Sequence, residues 1–173
     1  MKRGLGRLVP VLLAWLLGGC GYHLSGHSTL LPAGIKSIGI PTFVNKTDRP
    51  ELEQRITAEV ISQFVTRGRY QTSSREEGVD AILRGEISNF VQTPVAINPQ
   101  GRATRYEILI NARVSLIQAA DDKILWQDDH FVFRRQYDVE VESLGLISGE
   151  TAAIEGVAKD FAETVVTSIL EGF

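Results

Sequence analysis

The sequence predicts a two-layer α/β sandwich: a mixed four-stranded sheet with two helices on one face, in the order βαβββα. Three observations carry this. Apolar residues recur at helical spacing in two stretches, from Leu52 to Val65 and from Ile154 to Leu170. They recur in steps of two in residues 36–42, 81–92, 104–118 and 124–137. Each helix then has one apolar stripe and the strands share one fully apolar face, so both stripes are buried by covering that face.

Taken in order, residues 36–42 put Ile38 and Ile40 on one side and Ser37 and Gly39 on the other, a short strand. Pro41 lacks a ladder donor and marks an edge or the strand's end. Residues 45–50 read as a polar turn, with Thr47 or Asp48 as N-cap and Pro50 in the first turn of a helix. Leu52, Ile56, Val60, Ile61, Phe64 and Val65 form its stripe, Glu51, Arg55 and Glu59 its wet face, and Gly68 its stop. In the second strand, residues 81–92, Leu83, Ile87 and Val91 oppose Arg84, Glu86 and Ser88. A strand–helix–strand unit of this length predicts a right-handed parallel connection. Residues 93–103 contain Pro94, Asn98, Pro99 and Gly101 and read as a long polar loop, a class that more often carries function than packing.

The third strand, residues 104–118, alternates strictly through Tyr106, Ile108, Ile110, Ala112, Val114 and Leu116. With Asp121 and Asp122 as a two-residue turn, the fourth strand sets Phe133 across from Ile110, Phe131 from Ala112, Tyr137 from Tyr106 and Leu125 from Gln118. In that register Gln127 and Asp129 fall on the core side and Trp126 and Val132 on the other, so a bulge is expected near Asp128. After a loop over 138–146, Ser148 caps a second helix with Glu150 in its first turn. Its stripe is Ile154, Val157, Ala158, Phe161, Ala162, Val165, Ile169 and Leu170; Glu155, Lys159 and Glu163 face water.

Ahead of this domain, Lys2, Arg3 and Arg7 precede an apolar run from Leu8 to Leu17 broken only by Pro10, a signal-peptide layout. The run falls short of the ~20 residues that a spanning helix needs. Leu17, Gly18, Gly19 and Cys20 resemble the lipobox of bacterial lipoproteins. The expected organisation is a signal peptide over 1–19, a lipidated tether over 20–35 and a single α/β domain over 36–173. Cys20 is the only cysteine, so it has no partner for an internal disulfide. Acylation on both its sulfur and its amine gives a stable anchor, where one chain alone holds only marginally. Gly21 stands where an aspartate would, by analogy with enteric lipoproteins, signal retention in the inner membrane; outer membrane is therefore expected.

Removing residues 1–19 from the 173 leaves 154, with 15 basic and 21 acidic side chains and a net charge of −6. That balance argues against nucleic-acid binding, which needs a basic face. No nucleophile elbow, phosphate-cradling glycine loop or spare cysteine is present, and the three histidines, His23, His27 and His130, are not at metal-ligand spacing. Asp128 and His130 could converge, but a bulge with a surface ion pair explains them better. No catalytic residue, metal or cofactor is expected, and the protein reads as a non-enzyme. The remaining chemistry is on the sheet's other face. There Arg105 opposes Asp138, Glu107 opposes Gln136, Leu109 opposes Arg134, Asn111 opposes Val132, Arg113 opposes His130 and Ile117 opposes Trp126, with Arg84 and Glu86 alongside. This face either meets water or suits an amphipathic partner bearing phosphates, which guanidinium groups bind bidentately.

Cys20, Gly21, Tyr22, His23 and Leu24, then Ile38 to Phe43 with Asn45, Thr47, Leu52 and Glu53, then Ala81 to Gly85 and Tyr106, resemble the LptE family of lipopolysaccharide-assembly lipoproteins. The resemblance runs in order through the mature chain. It implies two helices on a four-stranded sheet and a non-enzymatic role: a lipoprotein, facing the periplasm or barrel lumen, that plugs the LptD β-barrel, assists its assembly and contacts lipopolysaccharide. No compact motif marks the contacts, so Arg84, Arg105, Arg113 and Arg134 are candidates on the strength of the open face alone. The strand from Ile38 to Asn45 also resembles penicillin-binding-protein activators and the amino-terminal domain of TolB, which makes a periplasmic binding module the alternative.

Overall fold

The computed structural model describes residues 31–32, 34–67, 70–138 and 146–171, with backbone alone for 146–152. The leader, Cys20 and most of the tether, Gly68 and the side chains of Ser148 and Glu150 lie outside the described residues. Within them the chain runs β1 (Ser37–Gly39), β2 (Val44–Asn45), α1 (Leu52–Thr66), β3 (Gln71–Ser73), β4 (Ala81–Ile97), β5 (Ala103–Gln118), β6 (Ile124–Asp138) and α2 (Leu146–Glu171).

The α/β class and the mixed sheet are as the periodicities predict, but the sheet has six strands, ordered β3-β1-β4-β5-β6 with β2 also alongside β4. The two added strands, β2 and β3, are two and three residues long, too short to show a period. β1 is parallel to both β3 and β4, so the parallel return to β4 holds, while β4, β5 and β6 are antiparallel. Pro41 follows the end of β1 and does not lie on an edge strand.

The polar loop expected over 93–103 shrinks to Asn98–Arg102. β4 continues through Pro94 to Ile97, and Pro94 pairs with Tyr106. A proline is tolerated there because β2 pairs with β4 only as far as Ile87, so the missing donor can face an unpartnered edge. Asn98 closes the short turn: its Oδ1 accepts the Gln100 and Arg102 N–H groups, and Gly101 takes a φ of 76°.

Neither Thr47 nor Asp48 caps α1. Glu51 occupies that place in a left-handed conformation, with no side-chain cap. The polar residues before it serve the turn instead. Asn45 Nδ2 donates to the Arg49 carbonyl and to Glu53, and Asn45 Oδ1 accepts the Thr47 N–H and hydroxyl. α2 begins at Leu146, two residues before Ser148, which is therefore inside the helix.

The β5–β6 register is the expected one from Arg105–Asp138 to Ala112–Phe131, after which it shifts. Arg113 spans a bulge in which Asp129 and His130 have no single partner, close to the expected place. Beyond it Trp126 opposes Leu116, not Ile117, and packs against the core; Ile117 opposes Ile124. A further shift, between Leu116 and Ile117, sets Ile124 opposite Ile117 and removes the pairing of Leu125 with Gln118. Between the two shifts the extra residue moves the side chains to the other face, which brings Trp126 inward and sends Gln127 out. A second bulge at Ser88 does the same to β4: Phe90 turns to the core and Val91, expected there, lies opposite Leu109 and is exposed.

One core joins both helices to the sheet, with Ile38, Leu83, Ile108, Ile110 and Leu116 meeting Ile56, Phe64, Phe161 and Ile169. Leu31 and Ile35, in the stretch assigned to the tether, are buried in it too. Val65, expected in the α1 stripe, is exposed. Phe161 is fully buried and meets Phe131 and Phe133 edge-on at 5.2 and 5.7 Å. Gly85 is fixed by Phe43, whose ring occupies the space a β-carbon would take. Asp80 ties the start of β1 to the start of β4: its carboxylate accepts the Lys36 N–H and the Ser37 N–H and hydroxyl at 2.8–2.9 Å. Those bonds, led by the Lys36 N–H, hold its carboxyl below the usual aspartate value.

Phe161→Ala should cost about 3–5 kcal/mol in chemical denaturation; a loss under about 1 kcal/mol would show that the two ring contacts do not hold the layers together. Because the Asp80 pKa is lowered on folding, its stabilisation is present above about pH 4 and is lost as pH falls through the folded value. Asp80→Asn should therefore unfold at lower denaturant than the parent at pH 7, and the gap should close toward pH 2. A gap that stays constant with pH would refute the ionised-carboxylate account.

Candidate functional site

The two helices cover one face of the sheet, and the alternation that buries Ile108, Ile110 and Ala112 turns Arg105, Glu107, Leu109, Asn111 and Arg113 to the other. All four arginines singled out from the sequence lie on this open face. Their side chains are 48–63% exposed, and the structure gives each a carboxylate.

Arg105 Nε reaches Asp138 at 2.7 Å, the cross-strand pair that the register predicts. Arg113 Nε lies 3.0 Å from Asp129 instead of beside His130, because the bulge carries Asp129 outward. Asp129 also accepts Gln127 Nε2, and Asp128 accepts the His130 backbone N–H. The Asp-Asp-His run thus closes a bulge, and no group of three metal-ligating side chains occurs among the described residues. Arg134 Nε is 3.7 Å from Glu107, a diagonal pair and the loosest of the four.

Arg84 has the partner least visible in the sequence. The chain between β3 and β4 crosses the open face above Gly39, whose β-carbon would meet Arg75, Glu76 and Val79. This crossing buries Ile82 and brings Glu76 to Arg84 in a two-point contact at 2.7 and 3.1 Å. Glu76 raises the guanidinium pKa and is itself lowered by Arg84, and Asp138 likewise raises Arg105. With Glu86, which pairs across the strands with Arg113, the described residues give the face four guanidinium groups and five carboxylates. It is a mosaic close to neutral.

Between these ion pairs lies an apolar band: Val91 and Val132 are exposed, and Leu109 sits between them on β5. At its centre Asn111 Oδ1 is buried with no hydrogen-bond partner among the described residues. Sequence reasoning missed Glu76, Asp129 and Val91 as members of the face. Glu76 comes from a distant segment and the other two are moved by bulges, whereas the alternation of Arg105 and Glu107 two residues apart was a readable sign of paired charge.

Three comparisons bear on this geometry. Residues 35–169 match the family model described as LptE, lipopolysaccharide-assembly. No curated protein matches the chain. Among solved structures, the PelC dodecamer from Paraburkholderia phytofirmans is similar with a TM-score of 0.52 at 13% identity, covering 86% of this chain and 96% of that one. A Xanthomonas campestris protein of the DUF330 family gives 0.53 at 11% identity, covering 78% and 84%. At such identities the likeness is one of fold alone.

Proposed function

The chain belongs to the LptE lipopolysaccharide-assembly family, and from that premise we propose a non-enzymatic, lipid-anchored outer-membrane subunit. In this reading Cys20 carries the acyl chains and residues 1–19 are removed. The α/β domain plugs and helps assemble an LptD-like β-barrel, and its open face contacts lipopolysaccharide on the way to the cell surface. The match to this family favours the reading over a penicillin-binding-protein activator or a TolB-type module.

The observation that supports lipid contact is the make-up of the open face. Arg84, Arg105, Arg113 and Arg134 surround the apolar band of Val91, Leu109 and Val132, so one amphipathic ligand can meet both. Their carboxylate partners do not block this. Exposed ion pairs contribute about 0–1 kcal/mol, whereas a phosphate takes two parallel bonds from a guanidinium and carries more charge. A phosphorylated glycolipid can displace the carboxylates at small cost. The same mosaic of both signs suits the polar inner wall of a large barrel.

Arg105→Glu with Arg113→Glu should lower the affinity for purified lipopolysaccharide about tenfold or more, the loss of one to two charge-assisted bonds. The denaturation midpoint should barely move, since both side chains are off the core. A folded double variant that binds as tightly as the parent would remove this face from the lipid path.

A further inference from the structure

The sheet treats its edges unequally. β3 ends one side after three residues, and β2 covers β4 only through Ile87. The rest of the β4 edge is interrupted by register shifts at Ser88 and between Pro94 and Ile97, and by Pro94 itself. Short strands, bulges and prolines are how native sheets keep foreign strands from pairing. β6 lacks these guards over half its length. From Phe131 to Asp138 its pairing with β5 is unbroken for eight residues, with no proline or glycine, and no described element pairs with its other side. Arg135, a charge that could guard the edge, is instead drawn onto Asp160 of α2 at 3.1 Å.

We propose that this edge of β6 receives an added strand from another polypeptide, one that carries an apolar and an acidic side chain two positions apart on the same face. The proposal concerns a backbone contact along the strand edge; it shares Val132 and Arg134 with the open face and does not depend on lipid binding. Backbone donors and acceptors facing outward along Phe131–Asp138 supply the pairing. Side chains specify the partner. On the open face the incoming strand runs beside Val132, then Arg134, then Gln136. Arg134 has 63% of its side chain exposed and, among the described residues, a single ion pair, the 3.7 Å contact to Glu107, so it accepts a second carboxylate. An apolar residue beside Val132 and an acidic one two positions along therefore fit. A second copy of this chain does not: two-fold antiparallel pairing centred on this run brings Arg134 or Arg135 opposite a copy of one or the other, and like charges directly opposed are destabilising.

The test is hydrogen exchange on the full lipidated chain in detergent. It is measured alone, with an eight-residue peptide in which valine and glutamate stand two positions apart, separated by threonines, and with one in which lysine replaces the glutamate. Alone, the outward-facing amides of 131–138, about four in an antiparallel edge strand, should exchange fast. The glutamate peptide should slow them at least tenfold while the β4 edge over 89–97 stays fast, and the lysine peptide should have no effect. Arg134→Glu should reverse the preference between the peptides without altering exchange of the free chain, which separates charge recognition from a folding defect. Equal slowing by both peptides, slowing at β4 instead, or no slowing at millimolar peptide would overturn the proposal. So would protection that needs no peptide and grows with protein concentration, which would assign the edge to a second copy.

Discussion

Along β5 every second side chain from Ile108 to Leu116 is buried almost completely, and the residues between them are not. The rest of the molecule follows from that alternation. A strand pleat offers two faces at a fixed spacing of two residues, so an apolar set this regular commits one whole face of the sheet to the helices. α1 and α2 then have a single surface on which to bury their stripes, and Phe161 locks that layer against Phe131 and Phe133. The other face is left polar by the same rule. Core and candidate site are two sides of one strand.

This explains which parts of the protein could be read in the sequence. The helices, the central strands and the register from Arg105–Asp138 to Ala112–Phe131 all rest on long runs with one period, and they stand. What escaped had no period to show. β2 and β3, two and three residues long, do not complete two repeats of the pattern. Pro94 reads as a loop residue unless the partner strand is known to be absent, since its tolerance depends on where β2 stops. The bulge at Asp129 and His130 was foreseeable because Trp126 and Gln127 sat on the wrong faces, but the bulge at Ser88 left no such misfit: Val91 is as acceptable in a core as Phe90.

The site shows the same division. The four arginines could be placed on the open face from alternation alone, and the pairing of Arg105 with Asp138 followed from the register. Their neutralisation could not be foreseen at Arg84, where the partner arrives from the segment that crosses above Gly39, or at Arg113, where it depends on a bulge. This changes the physical character of the face. It is a set of exchangeable ion pairs around an apolar band and not a bare basic patch. Such a surface offers a phosphate only weak internal pairs to displace, as the proposed lipid contact requires.

The central claim, that this lipoprotein works as part of a barrel assembly, is tested most directly by mild-detergent extraction of the tagged full-length chain from outer membranes, followed by affinity purification. The account predicts that one large β-barrel co-purifies in equimolar amount and that lipopolysaccharide is recovered with the pair. Recovery of a peptidoglycan synthase without any outer-membrane barrel would contradict it.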